Sequence, residues 1–333
     1  MQSLNTDSNL PLAITMGEPN GINSEIFLKA LKKIKKIKNF IICDPLWIKE
    51  SLNIFKINLS INIISEPSEV KEGFINILPI KKNIIFKMGY PNKKNNGAIL
   101  ESIDKAIYFA KNKKVSGIVT LPIYKKNLMK DGFAFPGHTE YLSHKDRSDS
   151  LMILMTDKLK VATATTHIPI NKISKSLNKS LIIKKVNILN KSLIKDFNIS
   201  HPKIAISSLN PHAGEEGEIG KEEINIIIPA VNELKNNGIN AVGPLPADSL
   251  FNKDNLKEYD ARLCMFHDQA LIPIKTLDFY NGINFTSGLS FIRTSPDHGT
   301  AFNISGKNLA NPDSFISSVK QAVVIAKNRN NYE

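Results

Sequence analysis

The sequence predicts an α/β fold, with strands and helices alternating along the whole chain. Three observations carry this. Short apolar runs such as Leu10–Thr15, Gly117–Leu121 and Ile204–Leu209 read as buried strands. Between such runs lie segments with apolar residues at helical spacing, as in Ile26–Ile37 and Gly97–Lys111. Several strand ends lead into turns bearing glycine or histidine, where ligands of parallel sheets bind. A length of 333 residues, 42% of them hydrophobic, suffices for one or two cored domains.

Taken in order, Leu10–Thr15 is the first strand, MGEPNGINSE a glycine turn, and Ile26–Ile37 a helix. This start has no G-x-G-x-x-G pattern, so it is a weak dinucleotide signal. Asn39–Cys43 reads as a strand, Pro45–Leu52 as a short helix, and Ile61–Ile64 and Ile75–Leu78 as further strands. Pro91–Asn96 is polar and reads as an exposed loop, and Gly97–Lys111 is a helix followed by the strand Gly117–Leu121. A second region starts near Asn127. FPGHTEYL, residues 135–142, is a tight turn into a helix, with His138 and Thr139 at its mouth. Leu151–Met155 and Val161–Thr166 read as a β-hairpin, and Asn171–Leu177 and Leu181–Phe197 as helices.

The strand Ile204–Leu209 is followed by the turn PHAGEEGEIG and a helix over Ile224–Asn236. Gly243–Leu250 reads as a loop carrying Asp248, and Arg262–Phe266 as a strand ending at His267-Asp268-Gln269. Ile283–Thr294 leads to Arg293, Pro296–Pro312 is a glycine-containing loop, and Ser314–Ala326 is a closing helix.

Two cysteines, Cys43 and Cys264, lie in apolar runs and cannot form a disulfide framework. No apolar run approaches the ~20 residues that span a bilayer, and the opening MQSLNTDSNLPLAIT lacks a basic, apolar leader. These features predict a cytoplasmic protein with no membrane partner. The net charge of +13 raises a nucleic-acid reading, but the lysines are spread over polar helix faces and few aromatics accompany them. No nucleic-acid partner is expected, and a mild attraction for small anions is.

His167, His212 and His267 each follow an apolar strand. Their wide separation does not suit a zinc finger, but it suits a site assembled from strand ends. A lone histidine is usually structural; three in one topological position point to a divalent transition metal, with Asp268 as the partner of His267. Lys275, Asn284 and Arg293 follow, and lysine and arginine suit phosphate or carboxylate.

With these motifs in view, the chain resembles the 4-hydroxythreonine-4-phosphate dehydrogenase family. The resemblance rests on ITMGEPNGINSE (14–25), FPGHTEYL (135–142), TTHIPI (165–170), LNPHAGEEGEIGKEE (209–223), GPLPADSLF (243–251), MFHDQALIPIK (265–275) and GLSFIRTSPDHGTAFNISG (288–306). Met16, Asn20, Asn23, Ser24, Ala270 and Pro296 depart from the family pattern without removing any proposed ligand. DHGTAFNISGKNLANP (297–312) also looks like the adenosine-side NAD loop of isocitrate and isopropylmalate dehydrogenases, whose fold the family shares.

The resemblance implies a homodimer of two α/β/α domains with a cleft between them, residues 1–126 plus 306–333 and residues 127–305. It implies His167, His212 and His267 as ligands of zinc, magnesium or cobalt, one supplied across the dimer interface. His138, Thr139, Lys275, Asn284 and Arg293 are implied to bind a phosphorylated substrate, and His298, Gly299, Thr300, Ala301, Gly306 and Asn311 to bind NAD or NADP. Lys275 and Asp248 are the candidate proton acceptors. The implied reaction is oxidation of 4-phosphohydroxy-L-threonine to 2-amino-3-oxo-4-(phosphonooxy)butanoate, then decarboxylation to 3-amino-2-oxopropyl phosphate, in vitamin B6 synthesis. The alternative is a related dehydrogenase acting on another phosphorylated hydroxy acid. A metal hydrolase has no use for the loop 297–312, and a phosphotransacetylase-like enzyme requires no three such histidines.

Overall fold

A computed structural model describes residues 10–131, 133–135 and 137–332. Residues 1–9, which include most of the segment read as leader-free, lie outside this description, as do Gly132, Pro136 and Glu333. The described residues form two compact units, those within 10–148 with 289–331, and 149–288.

Unit 1 begins with β1 (Leu12–Thr15), α1 (Asn23–Ile34), β2 (Asn39–Cys43), α2 (Pro45–Phe55), β3 (Ile61–Ile63), β4 (Ile75–Pro79), α3 (Asn96–Lys111), β5 (Gly117–Thr120), α4 (Lys125–Lys130) and α5 (His138–Asp146). Unit 2 contains β6 (Leu151–Met155), β7 (Lys160–Thr163), α6 (Ile173–Ser176), α7 (Lys179–Lys195), β8 (Ile204–Ser207), α8 (Ile228–Asn236), β9 (Ala241–Leu245), α9 (Asn255–Glu258), β10 (Ala261–Cys264), α10 (His267–Leu277) and β11 (Ile283–Ser287). The chain returns to unit 1 with β12 (Arg293–Pro296) and α11 (Asp313–Tyr332).

In unit 1 the strands run β3-β4-β2-β1-β5-β12, and every pairing is parallel. The strands inside the edge strand β3 are buried on both faces, as parallel sheets require: Ile14, Phe40, Ile41, Ile77, Ile118 and Val119 are fully enclosed. On α1 and α11, Phe27 and Phe315 meet edge to face, with ring centroids 6.3 Å apart. In unit 2 the order is β11-β6-β7-β10-β8-β9. The β6–β7 hairpin and the β11–β6 pair are antiparallel, and the other pairings are parallel. Its core gathers Leu154, Val161, Cys264, Ala270 and Ile274, while α7 buries Ile182, Val186, Leu189 and Leu193.

Several elements differ from the sequence reading. Residues 243–245 form part of β9, not a loop. Pro244, which has no N–H to give a ladder, is accommodated because β9 pairs only with β8, across a bulge at Ala205–Ser207. The segment 91–96 is not wholly exposed: Asn95 is buried and its side chain bonds both the N–H and the C=O of Ile85. The units divide at 148/149 and 288/289, whereas the expected boundaries were 126/127 and 305/306. Side chains of the extra segments explain this. Tyr141 donates to Asp104, Asn96 to Asp131 and the Ser290 hydroxyl to Asp146, while β12 pairs with β5. Cys43 and Cys264 are buried free thiols. Among the described residues no helix is long and apolar enough to cross a membrane.

Candidate active site

Unit 2 brings two of the three strand-end histidines together. Beyond β7 and β10 the chain continues in parallel: Ala164 N–H donates to Cys264 O, and Thr165 donates to Met265 O through both its N–H and its hydroxyl. This delivers His167 and His267 side by side, with ring centroids 5.9 Å apart. His167 holds a left-handed backbone, φ 42°, a strained state for a residue with a Cβ and one found at functional sites. His267 is the first residue of α10. Its Nδ1 lies 3.0 Å from Asp268 Oδ1, which leaves Nε2 as the nitrogen facing a ligand.

His212 is not grouped with that pair. Among the described residues, no three His, Cys, Asp or Glu side chains converge as a metal-holding group. His212 opens a run of left-handed residues, His212, Ala213, Gly214, Glu215 and Glu216, with φ between 45° and 81°. Each non-glycine residue there costs about 1–2 kcal/mol relative to right-handed backbone. A π-turn at Glu223–Ile227 follows, another feature common at functional sites. The loop is held by Glu223, which sequence reading missed. Its buried carboxylate accepts the N–H groups of Leu209 and Asn210 and the Asn210 side-chain amide. Gln269 ties the same loop to α10, donating to Ser208 O and accepting from Met265 N–H.

The other unit 2 candidates are spread over separate elements. Lys275 sits in the last turn of α10 with Nζ 5.3 Å from the Phe279 ring centre. Asn284 is in β11, and its Oδ1 is buried without a hydrogen-bond partner. An unpaired buried acceptor carries a desolvation cost of about 1–3 kcal/mol, which a ligand N–H or O–H relieves. Asp248 stands exposed in the turn after β9 and accepts the N–H of Ser249.

Unit 1 holds the anion-type candidates. Gly137 is extended, so His138 starts α5 with its Nε2 enclosed and unpartnered; Thr139 follows, half-buried. Burial, then the positive charges of Arg293 and Lys125, hold the His138 pKa well below the usual imidazole range, so the ring is neutral near pH 7. Arg293 is 2% exposed. Its Nε and Nη2 donate to Thr120 Oγ1 at 3.1 and 2.7 Å. Burial pulls its pKa down to about 9, with Glu140 opposing the shift. A buried cation beside an unsatisfied imidazole nitrogen suits a phosphate, whose charge offsets the desolvation of the guanidinium.

The expected NAD loop follows β12 in unit 1 and is pinned to the first glycine turn. Ile22 N–H donates to Thr300 O, and the Ser305 hydroxyl contacts Asn20 O and Gly21 O. A Cβ on Gly21 would lie 2.7 Å from Thr300 O, so this approach requires glycine. Ala301 is left-handed at φ 42°, His298 Nδ1 lies 3.0 Å from Gly299 O, and Gly306 packs over Met88. Asn311 accepts the N–H of Asp313 at the start of α11. A Cβ on Gly299 would meet nothing within 4 Å, so the loop surface there is open to a ligand.

Asn20 and Asn23, both read from the sequence as departures from the family pattern, tie that turn to its surroundings. Asn20 bonds Ile85 O, Tyr90 O and Lys87 N–H, and the Asn23 side chain bridges Met16 O, Glu18 O and Pro122 O. Glu18, beside them, is fully buried. One carboxylate oxygen accepts from Asn20 N–H, the other is unpartnered, and burial pushes its pKa up to about 7. Sequence reading missed Glu18; the signal available was an acidic residue in a strand-end glycine turn, which does not display its burial.

A family model for the pyridoxal phosphate biosynthetic protein PdxA matches residues 35–322. The chain belongs to the PdxA family. A 4-hydroxythreonine-4-phosphate dehydrogenase of a Sulfurihydrogenibium species is 41% identical over 96% of this chain and 99% of its own. One of Caulobacter vibrioides is 38% identical over 96% of this chain and 98% of its own. A crystal structure of the Klebsiella pneumoniae dehydrogenase of that name aligns with TM-score 0.86 and 35% identity, covering 96% of this chain and 99% of the other. A terephthalate 1,2-cis-dihydrodiol dehydrogenase of Burkholderia xenovorans, 22% identical with TM-score 0.64, shares the fold. The PdxA match makes this chain a dehydrogenase of vitamin B6 synthesis.

Proposed function

We propose that this PdxA-family chain oxidises 4-phosphohydroxy-L-threonine with NAD⁺ or NADP⁺ and a divalent cation. The product, 2-amino-3-oxo-4-(phosphonooxy)butanoate, is a β-keto acid that loses carbon dioxide to give 3-amino-2-oxopropyl phosphate. The observation that carries the reading is the facing His167–His267 pair, with Asp268 on one nitrogen of His267. Imidazoles so paired fit zinc or cobalt, and magnesium less well. When bound, the cation would supply acidity to the substrate hydroxyl and charge stabilisation, and the nicotinamide would supply a hydride acceptor.

The chain's own residues bind and orient. His138, Thr139 and Arg293 are assigned the phosphate, since a neutral imidazole, a hydroxyl and a buried guanidinium all donate to it. Asn284 is assigned a substrate N–H or O–H through its unpartnered Oδ1. The loop His298–Ala301 with Gly306 and Asn311 is assigned the adenosine side of the dinucleotide. Lys275 and Asp248 are the candidate proton acceptors, with Lys275 also a candidate to hold the phosphate or carboxylate, and comparing Lys275→Met with Asp248→Asn in pH–rate profiles separates the two. His212 completes the three metal ligands in this proposal, one of the three coming from a second copy of the chain, which makes the active form a homodimer.

The test is NADH absorbance with 4-phosphohydroxy-L-threonine as substrate, with carbon dioxide measured alongside. Stoichiometric NADH and carbon dioxide are expected. NADH from a different phosphorylated hydroxy acid, and none from this one, would reject the assigned substrate and keep the chemistry.

A further inference from the structure

Unit 1 contains a concave site at the strand-start edge of its sheet, opposite the edge that carries the glycine turn after β1 and the loop after β12. A cavity of about 380 Å³ opens where β2 begins at Asn39 and β4 begins at Ile75. That volume lies in the range of small-molecule sites. Its apolar wall includes Leu59, Val70 and Phe74, and Leu59 and Phe74 are unusually exposed for large apolar groups. Five lysines line it, Lys32, Lys35, Lys36, Lys38 and Lys71, against one carboxylate, Glu72.

Two features set this apart from ordinary solvated lysine. On α1, Lys29 pairs with Glu25 and Lys33 with Asp313. Lys32, Lys35, Lys36 and Lys71, which face the cavity, have no ion-pair carboxylate among the described residues. The wall is also built. Asn76, 5% exposed, accepts from Lys71 N–H and Asn62, and donates to Lys71 O, Phe74 O and Asn39 O. One buried amide thus fixes the backbone of the loop 71–74 to the edge of β2 before any ligand binds.

We propose that this cavity binds a small organic anion, an apolar body with one phosphate or carboxylate head. The body covers Leu59, Val70 and Phe74, and the head meets the lysines. The site is separate from the strand ends that carry the candidate chemistry, so the proposal stands whether or not the dehydrogenase reading does.

The test is hydrogen exchange of the full-length protein with phenyl phosphate, and in parallel with inorganic phosphate at equal concentration. Expected is slowed exchange in the segments 31–39 and 70–76 with phenyl phosphate and little change with inorganic phosphate. In the variant Lys36→Glu with Lys71→Glu, affinity should fall about tenfold or more, with turnover unchanged. Protection confined to other segments would overturn the proposal, because phenyl phosphate would then be binding elsewhere. Equal protection by inorganic phosphate, or no loss in the double variant, would overturn it as well.

Discussion

Arg293 and the Nε2 of His138 in unit 1 are enclosed, whereas His167 and His212 in unit 2 stand exposed and His267 half-exposed. Burial carries a desolvation cost that an anion would offset, which is the basis for assigning these groups the phosphate in the proposal. The exposed imidazoles carry little such cost. Their position comes from backbone, through the strand extensions that align His167 with His267 and the left-handed turn at His212. On the proposed function, unit 1 would draw selectivity from burial, while unit 2 holds its histidines through strained loops.

The contrast breaks if the two sets respond alike to mutation. The largest effect is expected from His267→Ala: NADH formation should fall by roughly 10³-fold or more and bound metal should drop, while urea stability changes by less than about 0.5 kcal/mol. A large stability loss would make His267 structural. Arg293→Met should lower kcat/KM by roughly 10²-fold, with folding stability kept or raised, since a buried charge is replaced by an apolar group. Stability loss of several kcal/mol would show that the guanidinium serves the core.

Glu18→Gln sharpens the comparison through pH. Its carboxyl is pushed up to about 7 from the ordinary 4.5. Between these values the unfolded chain ionises first, so the native state loses stability as pH rises and has lost this contribution above pH 7. The amide cannot ionise. At pH 8 the variant should be more stable in urea by about 2–3 kcal/mol, and near pH 4.5 the two should coincide. A pH-independent difference would contradict the buried titration. The smallest effect is expected from Gly21→Ala. Its Cβ would press on Thr300 O, so KM for NAD⁺ should rise about tenfold with KM for the phosphorylated substrate unchanged.

Much of the fold was legible because parallel strands leave continuous apolar runs: β1, β2, β5, β8 and β10 fall on the runs Leu10–Thr15, Asn39–Cys43, Gly117–Leu121, Ile204–Leu209 and Arg262–Phe266. Residues 243–245 were hidden because Gly243 and Pro244 carry loop chemistry, and only edge pairing makes them strand. The unit boundaries were hidden because hydrogen bonds such as Tyr141 to Asp104, far apart in sequence, decide them. In the site, residue types were legible and their grouping only in part. The convergence of His167 and His267 could be expected from their matching strand ends. The clamp by Glu223 and the burial of Glu18 depend on neighbours that no local pattern displays.

The most direct test of the central claim is metal removal and return. The protein is stripped with chelator, assayed for NADH formation with 4-phosphohydroxy-L-threonine, and assayed again with zinc or cobalt restored, alongside His167→Ala. The account predicts loss of turnover on stripping, recovery with metal in the parent chain, and no recovery in the variant. Full turnover in stripped protein with no metal detectable would contradict it.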